Sequence, residues 1–217
     1  MPQTREHLAI AELLGLQRAA VALTKCDAVD AARADAAESE IRTLLAQGPF
    51  AEAPIYRVSA RTGDGIAALH AHLAAAAAHT ATPVDGRFRL AIDRCFSLSG
   101  IGTVVTGTVF SGTARVGDTL TVSPPRFSAR VRSLHAQDKP AETGHAGQRV
   151  ALNLTGDFSR EAIRRGMWVL DPRQHLPLDR FAATLRLARD ETQALRHWTP
   201  VHVHLGAEDI IGRVALL

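Results

Sequence analysis

Near residue 84 the hydrophobic period of this chain changes, and that change constrains its fold more than any other feature. Upstream, apolar residues recur at helical spacing around two short apolar runs. Downstream, they alternate with polar residues over many short stretches punctuated by Gly, Asp and Pro. A helical period does not suit a strand, nor a period of two a helix, so two architectures must follow one another.

In the upstream part, residues 4–14 read as an amphipathic helix, with Thr4 as N-cap, Leu8, Ala11 and Leu14 on one face, and Gly15 as the C-cap glycine. The run Ala19 to Leu23, ending in Thr24, has the continuous apolar character of a buried parallel strand. Residues 30–47 repeat the helical pattern through Ala34, Ala37, Ile41, Leu44 and Leu45 and stop at Gly48-Pro49. Ile55 to Val58 forms a second strand, and Ile66, Leu69 and Leu73 open a third helix that runs into alanines 74–78. Strand and helix alternate as in a parallel α/β sheet, yet two strands are too few for a doubly wound domain. This half is therefore expected to be part of a larger one.

Residues 80–86 read as a linker. Beyond it, Phe88, Leu90 and Ile92 alternate with polar neighbours, Thr103 to Phe110 is β-branched, and Val116-Gly117-Asp118 is a turn. Alternation resumes at Phe127, Ala129 and Val131 and again at Val150, Leu152 and Leu154, which predicts an all-β barrel or sandwich. Pro172 to Pro177 is a second connector, and from Phe181 a new β pattern begins with Ala183, Leu185 and Leu187, followed by Val201 to Leu205.

Composition excludes several classes. Apolar residues make up 46% and charged residues 22%, within the ordinary globular range, and no run of about 18 apolar residues is present to span a bilayer. The two cysteines, Cys26 and Cys95, have neither metal-site nor disulfide-framework spacing, which favours a reducing cytoplasm. The net charge of +3 permits RNA binding without requiring it.

Three motifs carry chemistry. Thr24-Lys25-Cys26-Asp27 follows the first strand, where P-loop GTPases read guanine with Asn-Lys-x-Asp. An aspartate there accepts two hydrogen bonds from the guanine N1–H and 2-amino group, a donor pair adenine lacks, while the lysine stem covers the base. Thr24 departs from the usual asparagine, and a plain strand–loop with an aspartate cap fits the four residues equally well. Ser59-Ala60 follows the second strand about 30 residues on, where GTPases place a Ser-Ala pair whose backbone N–H meets guanine O6. Both motifs fall at the carboxyl ends of strands, where open α/β sheets bind ligands. The third motif is Gly100-Ile101-Gly102-Thr103-Val104-Val105-Thr106-Gly107-Thr108-Val109, continued by Val116-Gly117-Asp118 and Ala146-Gly147-Gln148-Arg149, which resembles the second domain of translational GTPases.

Together with Pro2 to Leu8 and Leu90-Ala91-Ile92-Asp93-Arg94, these motifs resemble the bacterial selenocysteine-specific translation elongation factors over essentially the whole chain. The resemblance implies an α/β fold, a partial P-loop GTPase-type domain, over residues 1–80. All-β barrels of the translational-GTPase type would follow: a complete one over 84–174 and the start of another over 176–217. It implies GTP or GDP with Mg²⁺ as cofactor of the intact family, and selenocysteyl-tRNA and the ribosome as partners. An mRNA hairpin would be read by C-terminal domains outside this sequence, and no membrane is involved. Neither a Gly-x-x-x-x-Gly-Lys-Ser/Thr phosphate loop nor an Asp-x-x-Gly motif for Mg²⁺ and γ-phosphate is read anywhere in the chain, so the chain alone is expected neither to hydrolyse GTP nor to hold nucleotide tightly.

By the same resemblance, Asp93, Arg94 and Arg149 match the pocket that reads the selenol. Unassisted, Asp93 and Arg94 read as a solvated strand-end ion pair. Arg94 shares parity with Leu90 and Ile92, whereas Arg149 opposes Val150 and Leu152, so the two converge only if a bulge intervenes. His202 and His204 share a strand face without a third metal ligand, and Arg160, Arg164 and Arg165 form a basic cluster beside Glu161. Two other readings remain: another member of the superfamily, such as the GTPase subunit of sulfate adenylyltransferase, or a non-catalytic RNA-binding barrel module.

Overall fold

A computed structural model describes residues 2–78, 84–189 and 191–217. Residues 80–83 of the expected linker lie outside them. The chain forms two compact units, one of residues 1–81 with 183–193, the other of 82–182 with 194–217.

The first unit contains α1 (Pro2–Leu13), β1 (Val21–Leu23), α2 (Ala31–Leu45), β2 (Ile55–Arg57) and α3 (Ile66–Ala78). Helix α1 starts earlier than the sequence suggests, because Pro2 fits a first turn, and Thr4 lies inside it instead of capping it. Asp30 caps α2, accepting the Arg33 N–H at 2.8 Å. Strands β1 and β2 pair in parallel, Val21 with Ile55 and Leu23 with Arg57. The core here is small: Leu45, Phe50 and Ala53, flanked by Leu8, Ala11, Val21, Ile41 and Ile55.

The alternation at 183–187 does not become a strand. Its arginines instead satisfy helix ends: Arg186 donates to the Glu12 and Leu13 carbonyls at 3.3 and 3.0 Å. Arg189 donates to the Gln47 carbonyl at 2.6 Å and to the Glu12 carboxylate at 2.7 Å. Carbonyls in the last turn of a helix lack intrahelical partners, and cationic donors are favoured there.

Apart from short 3₁₀ segments at Arg160–Ala162 and Pro172–Gln174, the regular structure of the second unit is β. Its strands are β3 (Arg89–Leu98), β4 (Gly102–Ser111), β5 (Thr113–Arg115), β6 (Thr119–Ser123), β7 (Phe127–Ala136), β8 (Lys139–Ala141), β9 (Thr143–His145), β10 (Arg149–Thr155), β11 (Trp168–Leu170), β12 (Thr199–Leu205) and β13 (Glu208–Val214). The order β10-β4-β3-β11-β6-β7, with β7 pairing back to β10, closes a six-stranded antiparallel barrel, and β8 hangs from β7. Closure leaves these six strands no open edge. Leu90, Ile92, Val105, Val122, Leu152 and Val169 fill the interior and are fully buried. Gly107 lets β4 lie against β3: a Cβ there would overlap the Ala91 carbonyl. Strands β12 and β13 form a separate hairpin. Among the described residues, no helix is long and apolar enough to cross a membrane.

Candidate functional site

Two constellations stand out, one in each unit. In the first, the parallel strands end side by side. The Val58 N–H donates to the Leu23 carbonyl at 2.9 Å, and the Cys26 N–H to the Val58 carbonyl at 3.3 Å, which ties the two following loops together. Lys25 takes a left-handed conformation (φ 60°), turning the chain into a short 3₁₀ segment over Cys26–Ala28. The Cys26 thiol donates to the Leu23 carbonyl at 3.1 Å, so this cysteine serves as a local brace. Thr24 and Lys25 are exposed.

Ser59 is buried at the foot of the second loop, where its hydroxyl accepts the Thr62 N–H at 3.1 Å. Hydrogen bonding from Ser59, and then from Arg61, whose Nε lies 2.6 Å from Asp27 Oδ2, holds the Asp27 carboxyl below its ordinary range. It is thus a carboxylate at neutral pH, able to accept paired donors. Ala60 is exposed, and no described residue accepts its backbone N–H. Thr24, Lys25, Asp27, Ser59 and Ala60 therefore share one edge of the sheet.

In the second unit, the expected strand parity fails at one residue. Between Ile92 and Arg94 the β3–β4 register slips: Ile92 pairs with Gly107 and Arg94 with Thr106, leaving Asp93 as the extra residue of a bulge. The inward set runs Leu90, Ile92 and then Cys95, so Arg94 is turned to solvent, opposite to simple alternation. Arg149, opposite Thr108 on the far side of β4, is likewise exposed.

The bulge brings the predicted residues together. The Arg149 guanidinium makes a bidentate ion pair with the Asp93 carboxylate, its second nitrogen 3.1 Å from Oδ1. Thr106, on the intervening strand, donates to Asp93 Oδ1 at 2.7 Å and accepts from Arg149 at 3.1 Å. Partial burial alone would raise the Asp93 carboxyl. Hydrogen bonds from Arg149 and Thr106, with the charges of Arg149 and then Arg94, outweigh it and hold the group low. Arg149 is correspondingly raised, chiefly by its hydrogen bond to Asp93. Sequence reasoning named Asp93, Arg94 and Arg149 but missed Thr106, whose role follows only from register. It also missed Arg61.

The weaker candidates resolve into local contacts. Arg160 donates to the Cys95 carbonyl at 3.1 Å, Arg164 pairs with Glu208 at 3.3 Å, and Arg165 reaches the Ala207 carbonyl at 3.5 Å. His202 pairs with Asp209 at 2.9 Å, with His204 at 3.9 Å from the same oxygen. Among the described residues no three groups are arranged to hold a metal ion. The letters Asp-x-x-Gly do occur at Asp209–Gly212, but inside β13, paired antiparallel with β12.

Comparison with known proteins matches three segments of the chain to domain families. Residues 1–81 match the elongation factor Tu GTP binding domain, and residues 102–170 match elongation factor Tu domain 2. Residues 182–217 match the β-barrel domain of selenocysteine-specific elongation factor. In fold and in these matches the chain is similar to a segment of translational GTPases.

Within that class, the chain is related over its full length to the selenocysteine-specific elongation factors. It is 44% identical over 217 residues to the selenocysteine-specific elongation factor of Escherichia coli (strain K12) and 40% identical over 220 residues to that of Haemophilus influenzae. It covers 100% and 99% of itself in these matches but only 34% and 33% of the relatives, so it spans about a third of the length of the curated relatives it matches. The crystal structure of translation elongation factor SelB from Methanococcus maripaludis, apo form, superposes with a TM-score of 0.88 at 26% identity. That match covers 98% of this chain and 46% of the other.

Proposed function

We propose that this chain is the part of a selenocysteine-specific elongation factor that carries the guanine-reading edge and the aminoacyl pocket. The whole protein then delivers selenocysteyl-tRNA to the ribosome at recoded UGA codons in a GTP-dependent step. In this reading Asp27 accepts the guanine N1–H and 2-amino donors, with Arg61 giving way. Lys25 covers the base, the Ala60 N–H meets O6, and Thr24 and Ser59 brace the loops. The residues present suit the guanine end of GTP or GDP. The phosphates and Mg²⁺ would be held by residues outside this chain, so the chain alone binds nucleotide weakly and does not hydrolyse it. The mRNA hairpin would engage further domains, and the work is cytoplasmic.

The observation that carries this reading is the bulge that brings Asp93 to Arg149 and Thr106, with the Arg94 charge acting on the same carboxylate. A selenol is more acidic than a thiol, whose pKa is about 8.5, and is therefore anionic at neutral pH. Asp93 fixes the orientation of Arg149, and the two guanidinium groups outnumber it by one charge. Such a site favours selenolate over the neutral serine hydroxyl of the precursor tRNA.

The test compares binding of selenocysteyl-tRNA and seryl-tRNA on the same tRNA body. The chain should prefer the first by about tenfold or more, the worth of one charge-assisted hydrogen bond. Arg149→Ala should abolish the preference. Equal affinities for both tRNAs in the unaltered chain would refute the reading.

A further inference from the structure

Asp27, the residue assigned to read guanine, is already engaged. The Arg61 Nε donates to Asp27 Oδ2 at 2.6 Å, and the Ser59 hydroxyl also bonds the carboxylate. Among the described residues, Asp27 is the only carboxylate with which Arg61 pairs. The Arg61 side chain is 75% exposed and that of Asp27 only 15%, so the guanidinium is the outer and freer partner.

The backbone that carries Arg61 is pinned on both sides. The Ser59 N–H donates to the Asp64 carbonyl at 3.0 Å, the Gly63 N–H to the Ser59 carbonyl at 2.9 Å, and the Thr62 N–H to the Ser59 hydroxyl at 3.1 Å. The Thr62 hydroxyl donates in turn to Asp64 Oδ2 at 2.7 Å. Gly63 and Gly65, both left-handed, close the loop. Arg61 can therefore leave Asp27 by turning about its own side-chain bonds, while the loop and the Ala60 N–H stay in place. Guanine needs both carboxylate oxygens, one for N1–H and one for the 2-amino group, and Nε holds one of them. An exposed ion pair is weak, because water and salt screen it, so this one opens at little cost.

We propose that Arg61 is a latch on the guanine edge: it occupies Asp27 in the empty site, competes with the incoming base, and takes the carboxylate back as the base leaves. This rests on the assignment of Asp27 and Ala60 as the guanine-reading groups. A ligand that must displace an internal occupant binds with its intrinsic affinity reduced by the fraction of time the site is open. The latch thus loosens the hold on guanine without altering the choice of guanine over adenine, which stays with the Asp27 carboxylate and the Ala60 N–H. It also gives the emptied carboxylate a partner, so a departing base leaves no bare charge behind it.

The test titrates guanosine and adenosine into the chain and into Arg61→Ala, following the amide resonances of Asp27 and Ala60. Neither probe carries a phosphate, so the loss of a cation does not itself weaken binding. Arg61 lies in solvent, and unshifted resonances of β1 and β2 would show that the fold is retained. Arg61→Ala should bind guanosine about three- to fivefold tighter, the effect of removing an exposed ion pair, and adenosine no differently. Added salt should tighten guanosine binding to the unaltered chain and leave the variant unmoved. Independently, the Arg61 Nε–H resonance should move towards its free position as guanosine is added. Weaker guanosine binding by Arg61→Ala overturns the proposal, because Arg61 would then be a contact of the base. Unchanged binding overturns it too, because the ion pair would not obstruct the base. In either case a preference for guanosine over adenosine leaves the guanine edge standing. Failure of both chains to prefer guanosine removes the guanine edge and the latch together.

Discussion

The barrel and the α/β unit carry one constellation each, but they hold it in different ways. In the barrel, 18 buried side chains form one cluster and every strand of the closed ring has two neighbours, so Asp93 and Arg149 project from a wall that cannot shift without breaking the ring. In the α/β unit, the buried cluster has three members and the sheet has two strands of three residues each. Helix α3 is almost wholly apolar, yet none of its residues is buried. A helix apolar on all sides is normally enclosed. The contrast shows that a cluster of loop residues can be laid out by local hydrogen bonds while its supporting core remains small.

Core truncation should separate the two most sharply. Ile92→Ala removes a fully buried side chain from the ring and should cost about 3–4 kcal/mol. Leu45→Ala should cost about 2–3 kcal/mol and lower only the α/β transition. Urea unfolding followed by far-UV signal for the helices and by Trp168 fluorescence for the barrel would resolve them. A single shared transition displaced equally by both variants would break the comparison.

Gly107→Ala should follow at about 3 kcal/mol, because the new methyl meets backbone, which cannot move aside as a side chain can. Gly65→Ala tests the other region. Gly65 is left-handed at φ 70°, and a Cβ there would overlap the Arg57 carbonyl. It should destabilise the α/β unit by about 2 kcal/mol and loosen the Ser59 loop, leaving the barrel midpoint unchanged. A shift of the barrel midpoint would contradict this.

The smallest effect concerns acid. Hydrogen bonding from Arg173 holds the Asp171 carboxyl down at about 2, against an ordinary 3.8. A carboxyl lowered by folding contributes stability above its unfolded value and loses it as pH falls towards the folded one. Barrel stability should therefore decline between pH 4 and 2 by about 1 kcal/mol, since Arg173 is largely in solvent. Asp171→Asn should flatten that decline, as read from urea midpoints at each pH; an unchanged slope would count against the pair.

Where the sequence was legible, a simple period was present. The helices ending at Leu13 and Leu45, both short parallel strands and the alternating barrel strands all lie where hydrophobic spacing puts them, because each buries one face. The exceptions are equally physical. Alternation cannot reveal a bulge, so it aimed Arg94 inward, and only the register slip at Asp93 turned it to solvent. Residues 183–187 alternate like a strand, but Arg186, with Arg189 just beyond, donates to carbonyls after helices instead of the segment finding a strand partner. Thr106 carries no signal of its own, since it reaches Arg149 only through pairing across strands. Thr24, Lys25, Asp27, Ser59 and Ala60 share one sheet edge, as their positions just after two apolar runs suggested, because both loops follow directly from paired strand ends.

Amide hydrogen exchange along the intact chain addresses the central claim that the barrel is held rigidly and the α/β unit only lightly. Amides of β3, β4 and β10 should exchange only through global opening of the barrel, while those of β1, β2 and α3 exchange orders of magnitude faster. Uniform protection across both units would contradict the account.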